Sequence, residues 1–115
     1  MKKVLIVEDY VSVHKVCSIM ASRLGIEALV AEDSESALEF LNSEEIGVAF
    51  IDQDLKDGPT GDLVAKAARG FNIPIIVTSS NTGIKEIFDE YNPVSYLPKP
   101  LDFNVFSDYI KKYCL

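Results

Sequence analysis

The 115-residue sequence predicts an α/β fold of the doubly wound type, a parallel β-sheet with helices on both faces. Three observations carry that expectation. Short apolar runs alternate with helix-period apolar stripes along the whole chain. The connections between them are short, which makes each strand–helix–strand unit a right-handed crossover. With 48% hydrophobic residues, the chain also has enough apolar surface to cover both faces of a sheet.

Val4-Leu5-Ile6-Val7 is a continuous apolar run, as expected of a parallel strand buried on both sides. Val13, Val16, Cys17, Met20 and Leu24 follow as one face of a helix, and Gly25 stops it. Residues 28–31 read as the second strand. Ser34 reads as the N-cap of a second helix carrying Ala37, Leu38 and Leu41. Residues 48–51 form the third strand, and Leu63, Val64, Ala67 and Ala68 mark the third helix. Residues 73–77 are a strand rich in β-branched side chains. Ile84, Ile87, Phe88 and Tyr91 give a fourth helix, residues 95–97 a short strand, and Phe103, Phe106 and Ile110 a final helix.

Composition narrows the function. Eighteen acidic against 11 basic residues leave a net charge of -7, the wrong sign for direct nucleic-acid binding. No apolar run approaches the roughly 18 residues of a membrane-spanning helix. Glu8 and Asp9 end the first run too early for a signal peptide, whose apolar region needs about 7–15 residues. Two cysteines, Cys17 and Cys114, are too few for a disulfide framework. Cys17 falls on the apolar stripe and reads as a buried small hydrophobe, while Cys114, near the terminus, reads as an idle thiol. His14, the one histidine, reads as a solvated residue on the exposed face of the first helix. The expectation is one cytoplasmic domain spanning residues 1–115, with no membrane contact.

In such folds ligands lie beyond the carboxyl ends of the strands, so the residues that end each strand matter most. The first strand ends in Glu8-Asp9 and the third in Asp52. The fourth ends in Thr78-Ser79, and Lys99-Pro100 follows the fifth. Taken singly, each reads as a polar strand terminus or a helix cap. Taken together, every strand but the second contributes a chemically suited group. Three carboxylates held close repel one another, and a divalent cation relieves them. An all-oxygen set with few protein ligands suits Mg2+. Beside it, Lys99 and the Thr78 hydroxyl suit the oxygens of a transferring phosphoryl group, and the Asp52 carboxylate is the natural nucleophile.

These residues resemble a known family. Val4-Leu5-Ile6-Val7-Glu8-Asp9, Phe50-Ile51-Asp52-Gln53-Asp54-Leu55 with Gly58 and Gly61, Ile75-Ile76-Val77-Thr78-Ser79 and Tyr96-Leu97-Pro98-Lys99-Pro100 look like the receiver domain of two-component response regulators. The likeness follows the family's order over nearly the whole chain. It implies a flavodoxin-like (βα)5 fold of the chemotaxis-regulator type, with strand order 2-1-3-4-5. Glu8 and Asp9 then match the acidic pair that holds Mg2+, and Asp52 the phosphoacceptor. Asp54 matches the residue whose backbone carbonyl completes the metal shell. Thr78 matches the switch hydroxyl, and Tyr96 the aromatic switch position. Ser79 and Ser80 lie where access and phosphoryl lifetime are set. Lys99 matches the lysine that pairs with the phosphoryl group, and its bond to Pro100 is expected to be cis.

The implied partner is a sensor histidine kinase or histidine phosphotransfer protein, with output through a protein–protein surface. No segment here reads as an output domain. The sequence departs from the family in having Lys56 where proline is frequent, a longer loop from Asp52 to Gly61, and Tyr91-Asn92-Pro93-Val94 before the last strand.

Two other readings are open on these residues. Asp52-Gln53-Asp54 also resembles the nucleophile motif of haloacid-dehalogenase-type phosphatases, although that family places it on its first strand and needs an acidic pair after the lysine, where Asp102 follows without an acidic neighbour. A degenerate receiver, switched without phosphorylation, is the other, and the intact set Glu8, Asp9, Asp52, Thr78 and Lys99 argues against it.

Overall fold

The computed structural model describes residues 2–52, 61–79 and 88–115. Five strands are present: β1 (Lys3–Val7), β2 (Ala28–Ala31), β3 (Ile46–Asp52), β4 (Ile75–Ser79) and β5 (Ser95–Pro98). Four helices are assigned among the described residues: α1 (Val11–Arg23), α2 (Ser34–Ser43), α3 (Gly61–Gly70) and α4 (Phe103–Cys114). All strand pairs are parallel and the order is β2-β1-β3-β4-β5, as expected. Of the expected helix between β4 and β5, Ile84 and Ile87 lie outside the described residues. Phe88 and Asp89 are helical, and Tyr91 stands in the turn that follows.

Strand alternation sorts the core into two layers. Leu5, Val7, Ala49, Ile51, Ile75 and Val77 face α2 and α3 with Ala37, Leu41, Val64, Ala65 and Ala68. Val4, Ile6, Val48, Phe50 and Ile76 face α1 and α4 with Cys17, Ala21, Phe106 and Ile110. Phe50 and Phe106 meet with ring centroids 4.7 Å apart, pinning α4 to the central strand.

Helix ends follow local chemistry. Gly25, at φ 75°, takes the left-handed position that ends α1. Its N–H bonds to the Ser22 carbonyl and that of Ile26 to the Ala21 carbonyl, which closes a Schellman motif. Asn72, at φ 59°, ends α3 the same way through Asn72 N–H to Arg69 and Ile73 N–H to Ala68. The N-cap of α2 is Asp33 rather than Ser34: its carboxylate accepts from the Ser36 N–H at 2.8 Å, and Ser34 is the first helical residue. A carboxylate at that place also answers the positive end of the helix dipole.

Three expectations on side-chain burial are corrected. The inward face of α1 is His14, Cys17 and Ala21, so Val16 is exposed and His14 is buried rather than solvated. Leu63 likewise points outward, and Ala65 replaces it in the core. Cys114, expected to be an idle thiol, is buried in agreement with that reading, because the end of α4 lies on β3 where Gly47 has no side chain. A Cβ on Gly47 would stand 2.6 Å from the Tyr113 carbonyl oxygen and 2.8 Å from Cys114 Sγ.

Candidate functional site

The chain leaves β1 towards β2 on one side and returns through β3 on the other, so a crevice opens at the carboxyl ends of these two neighbours. The register sets what lines it. Val7 pairs with Ile51, which puts Glu8 and Asp9 beside Asp52, and Asp52 pairs with Thr78. Ser79 pairs with Pro98, and the Lys99 N–H bonds to the Ser79 carbonyl at 3.0 Å, which delivers Lys99 to the same edge. The Lys99–Pro100 bond is cis, as expected.

Glu8, Asp9 and Asp52 each offer an oxygen, all within 4.8 Å of one another, and all three residues are buried. Lys99 Nζ donates to Asp52 Oδ2 at 2.8 Å and pairs with Glu8 Oε2 at 3.2 Å. The Tyr10 ring lies 5.3 Å from that ammonium, within cation–π range. Burial, reinforced by the neighbouring Asp52 charge, pushes the Glu8 carboxyl up to about 7 against the pull of Lys99. Burial works against the Lys99 charge too, but Asp52 and Glu8 outweigh it and hold the ammonium above its ordinary range. Thr78 is buried beside Asp52, and Ser79 is half-buried.

Tyr96 sits opposite Val77 on β5 and packs on the α2/α3 side of the sheet, half-buried. Its hydroxyl donates to Asp89 Oδ1 at 2.5 Å, and burial raises its pKa above the ordinary range. Asp54 and Ser80, expected to act on the metal shell and on lifetime, lie outside the described residues, as do Gln53, Lys56 and Gly58. Asp102, the acidic residue a phosphatase would need, is the N-cap of α4. It accepts from Asn104 and Val105 N–H.

The donor set fits Mg2+. Asp9 Oδ1 is a buried carboxylate oxygen without a hydrogen-bond partner among the described residues, a costly state that a cation relieves. Two neighbours of the site escape a reading by motif: Tyr10, and His14, whose Nε2 bonds to the Glu8 carbonyl. The signal that could find them is position: Tyr10 immediately precedes α1, and His14 lies one turn into that helix. A cavity of about 260 Å³ adjoins the site, lined by apolar groups such as Ile6, Cys17, Phe50 and Phe103. Burial pushes the Cys17 thiol up to about 12, so it is chemically quiet.

No family model matches the chain. It is 26% identical over 113 residues to a probable transcriptional regulator, ycf27, of Cyanophora paradoxa, covering 92% of this chain and 47% of that protein. The chain thus spans about half the length of that relative. Among solved structures it is similar to the signal receiver domain of a modulated diguanylate cyclase from Desulfovibrio desulfuricans G20. There the TM-score is 0.85 and the identity 27%, over 98% of this chain and 93% of that one. It is also similar to the receiver domain of sensor histidine kinase PA1611 from Pseudomonas aeruginosa PAO1, a structure with a magnesium ion coordinated in the active-site cleft. That match has a TM-score of 0.83 and 21% identity over 97% and 96% of the two chains. In its sheet order, its buried strand-end carboxylates and these likenesses, the chain is similar to response regulator receiver domains.

Proposed function

We propose that Asp52 accepts a phosphoryl group from a phosphohistidine on a sensor histidine kinase or phosphotransfer protein. The observation that carries this is the buried set Glu8, Asp9 and Asp52 within 4.8 Å, with Lys99 Nζ at 2.8 Å from Asp52. The fold supports a phosphoacceptor regulator rather than a classical enzyme.

Glu8, Asp9 and Asp52 would hold Mg2+, with the Asp54 carbonyl as a further ligand. When bound, the ion supplies positive charge that neutralises the carboxylates and favours the phosphoryl oxygens. An Asp52 oxygen attacks phosphorus, the new O–P bond forms as the donor's P–N bond breaks, and the imidazole leaves with the bonding pair and takes up a proton. Lys99 then pairs with a phosphoryl oxygen instead of the free carboxylate, and the Thr78 hydroxyl donates to another. Ser79 borders the approach, and Ser80 would bear on phosphoryl lifetime. Phosphorylation adds about -1.5 to -2 charge beside Thr78, and drawing that hydroxyl inward biases Tyr96 and the surface around β5. The output is a protein contact made by this receiver unit in the cytoplasm. Among the described residues no helix is long and apolar enough to cross a membrane.

The test is intact-mass spectrometry after incubation with acetyl phosphate, with and without Mg2+. One Mg2+-dependent phosphoryl adduct is expected, removed by hydroxylamine and absent from Asp52→Asn. An adduct of equal yield on Asp52→Asn, or steady multiple-turnover release of phosphate, overturns the proposal.

A further inference from the structure

Helix α1 begins without the usual device. Its N-cap is Tyr10, whose side chain makes no capping hydrogen bond, and no acidic residue stands in the first turn. Yet the residues that lead into this helix are Glu8 and Asp9, two of the three clustered carboxylates. On the β2 side the Glu8 N–H is tied to the Ala31 carbonyl at 3.0 Å. On the other side the tie is His14. It is only 8% exposed, and its Nε2 bonds to the Glu8 carbonyl oxygen. Nδ1 lies 4.0 Å from Glu32 Oε1, on the residue that follows β2. One imidazole therefore spans the end of β1, the first turns of α1 and the loop after β2. A carbonyl oxygen only accepts, so Nε2 carries the hydrogen.

We propose that His14 is a positioning residue for the metal site: its Nε2–H fixes the Glu8 carbonyl, and with it the peptide that aims the Glu8 and Asp9 carboxylates. The inference rests on the reading of those two residues as Mg2+ ligands. His14 acts through the backbone of Glu8 and not on the ion itself. It ties the end of the strand to the first turns of the helix, at the point where two acidic residues must be held against their mutual repulsion.

Methionine and glutamine separate the donor from the shape, because they are similar in length and both favour a helix, while only glutamine can donate to the carbonyl. With MgCl2 as the sole probe in titration calorimetry, His14→Met is expected to raise the dissociation constant by about tenfold or more. His14→Gln is expected to keep most of the wild-type affinity, with thermal midpoints of the two variants alike. In phosphorylation by acetyl phosphate, the Met variant should need more Mg2+ but reach the wild-type rate at saturation. Equal Mg2+ affinity in His14→Met and wild type overturns the proposal, as does a Gln variant as weak as the Met variant. Should the Met variant not fold, NMR on the wild type decides: an exchange-protected ring Nε2 proton is expected, and its absence overturns the proposal. Wild type that binds no Mg2+, or binds it as well after Asp9→Asn, overturns the ligand reading itself, an outcome distinct from any His14 result.

Discussion

At the amino end of the sheet, Lys3 Nζ lies 3.1 Å from Glu27 and 3.3 Å from Glu44. At the carboxyl end, Lys99 Nζ lies 2.8 Å from Asp52 and 3.2 Å from Glu8. The inventory is the same, one ammonium and two carboxylates at near-equal distances. The surroundings are not. Side-chain exposures are 31%, 59% and 32% for Lys3, Glu27 and Glu44, against 20%, 0% and 4% for Lys99, Asp52 and Glu8. Water screens the first group, so its charges belong to the surface. Burial leaves the second group with a carboxyl pushed up to about 7, and with a third carboxylate, Asp9, that lacks a partner for one oxygen among the described residues. The same chemistry is therefore a surface ornament at one end and a poised site at the other, and dehydration makes the difference.

Breaking the buried group should give the largest effect. Lys99→Met removes the ammonium shared by Asp52 and Glu8, and in chelator-treated protein urea unfolding should show a loss of about 3–5 kcal/mol. Filling the site with Mg2+ should act in the opposite sense. At about 100 times the dissociation constant it should stabilise the wild type by about 2.7 kcal/mol, read as a concentration-dependent thermal midpoint. Asp9→Asn should remove that response. In the absence of metal it should raise the midpoint, by about 4–8 °C if replacing an unpartnered buried carboxylate gains about 1 kcal/mol. At the other end Lys3→Met should barely move the midpoint, and that small change should fade as salt is added. A Lys3 variant as damaging as the Lys99 variant would dissolve the contrast between the two ends.

Much of the carboxyl-edge site is legible in the amino-acid sequence. Polar residues that terminate apolar runs announce strand ends, and parallel topology sends all strand ends to one edge. Glu8, Asp9, Asp52, Thr78 and Lys99 therefore stand out as a group. What periodicity misplaces is rotation about helices. Of the stripe Val13, Val16, Cys17, Met20 and Leu24, Cys17 is buried and Val13, Met20 and Leu24 pack beside it. Val16 is exposed, however, and His14 joins Cys17 and Ala21 on the buried line, because a histidine with a carbonyl to bind is a better interior residue than hydropathy suggests. Cys114 is idle, as expected, but the cause is not legible in the sequence: the last helix lands on the gap left by Gly47 and buries the thiol. Asp33 displaces Ser34 as a cap by one residue, within the normal imprecision of helix ends.

Local pattern is enough to set the alternation of strands and helices, the two apolar faces of the sheet and the identity of the groups at its carboxyl edge. These depend on periodicity over short stretches and on the chemistry of a few residues. Only the folded chain makes Asp52 wholly buried, brings Lys99 to it from β5 and lets His14 hold the Glu8 peptide. Those facts depend on residues 47 and 6 positions apart meeting in space. Desolvation and direction of approach, which set the energy of a charge, arise only when the sheet has closed around it.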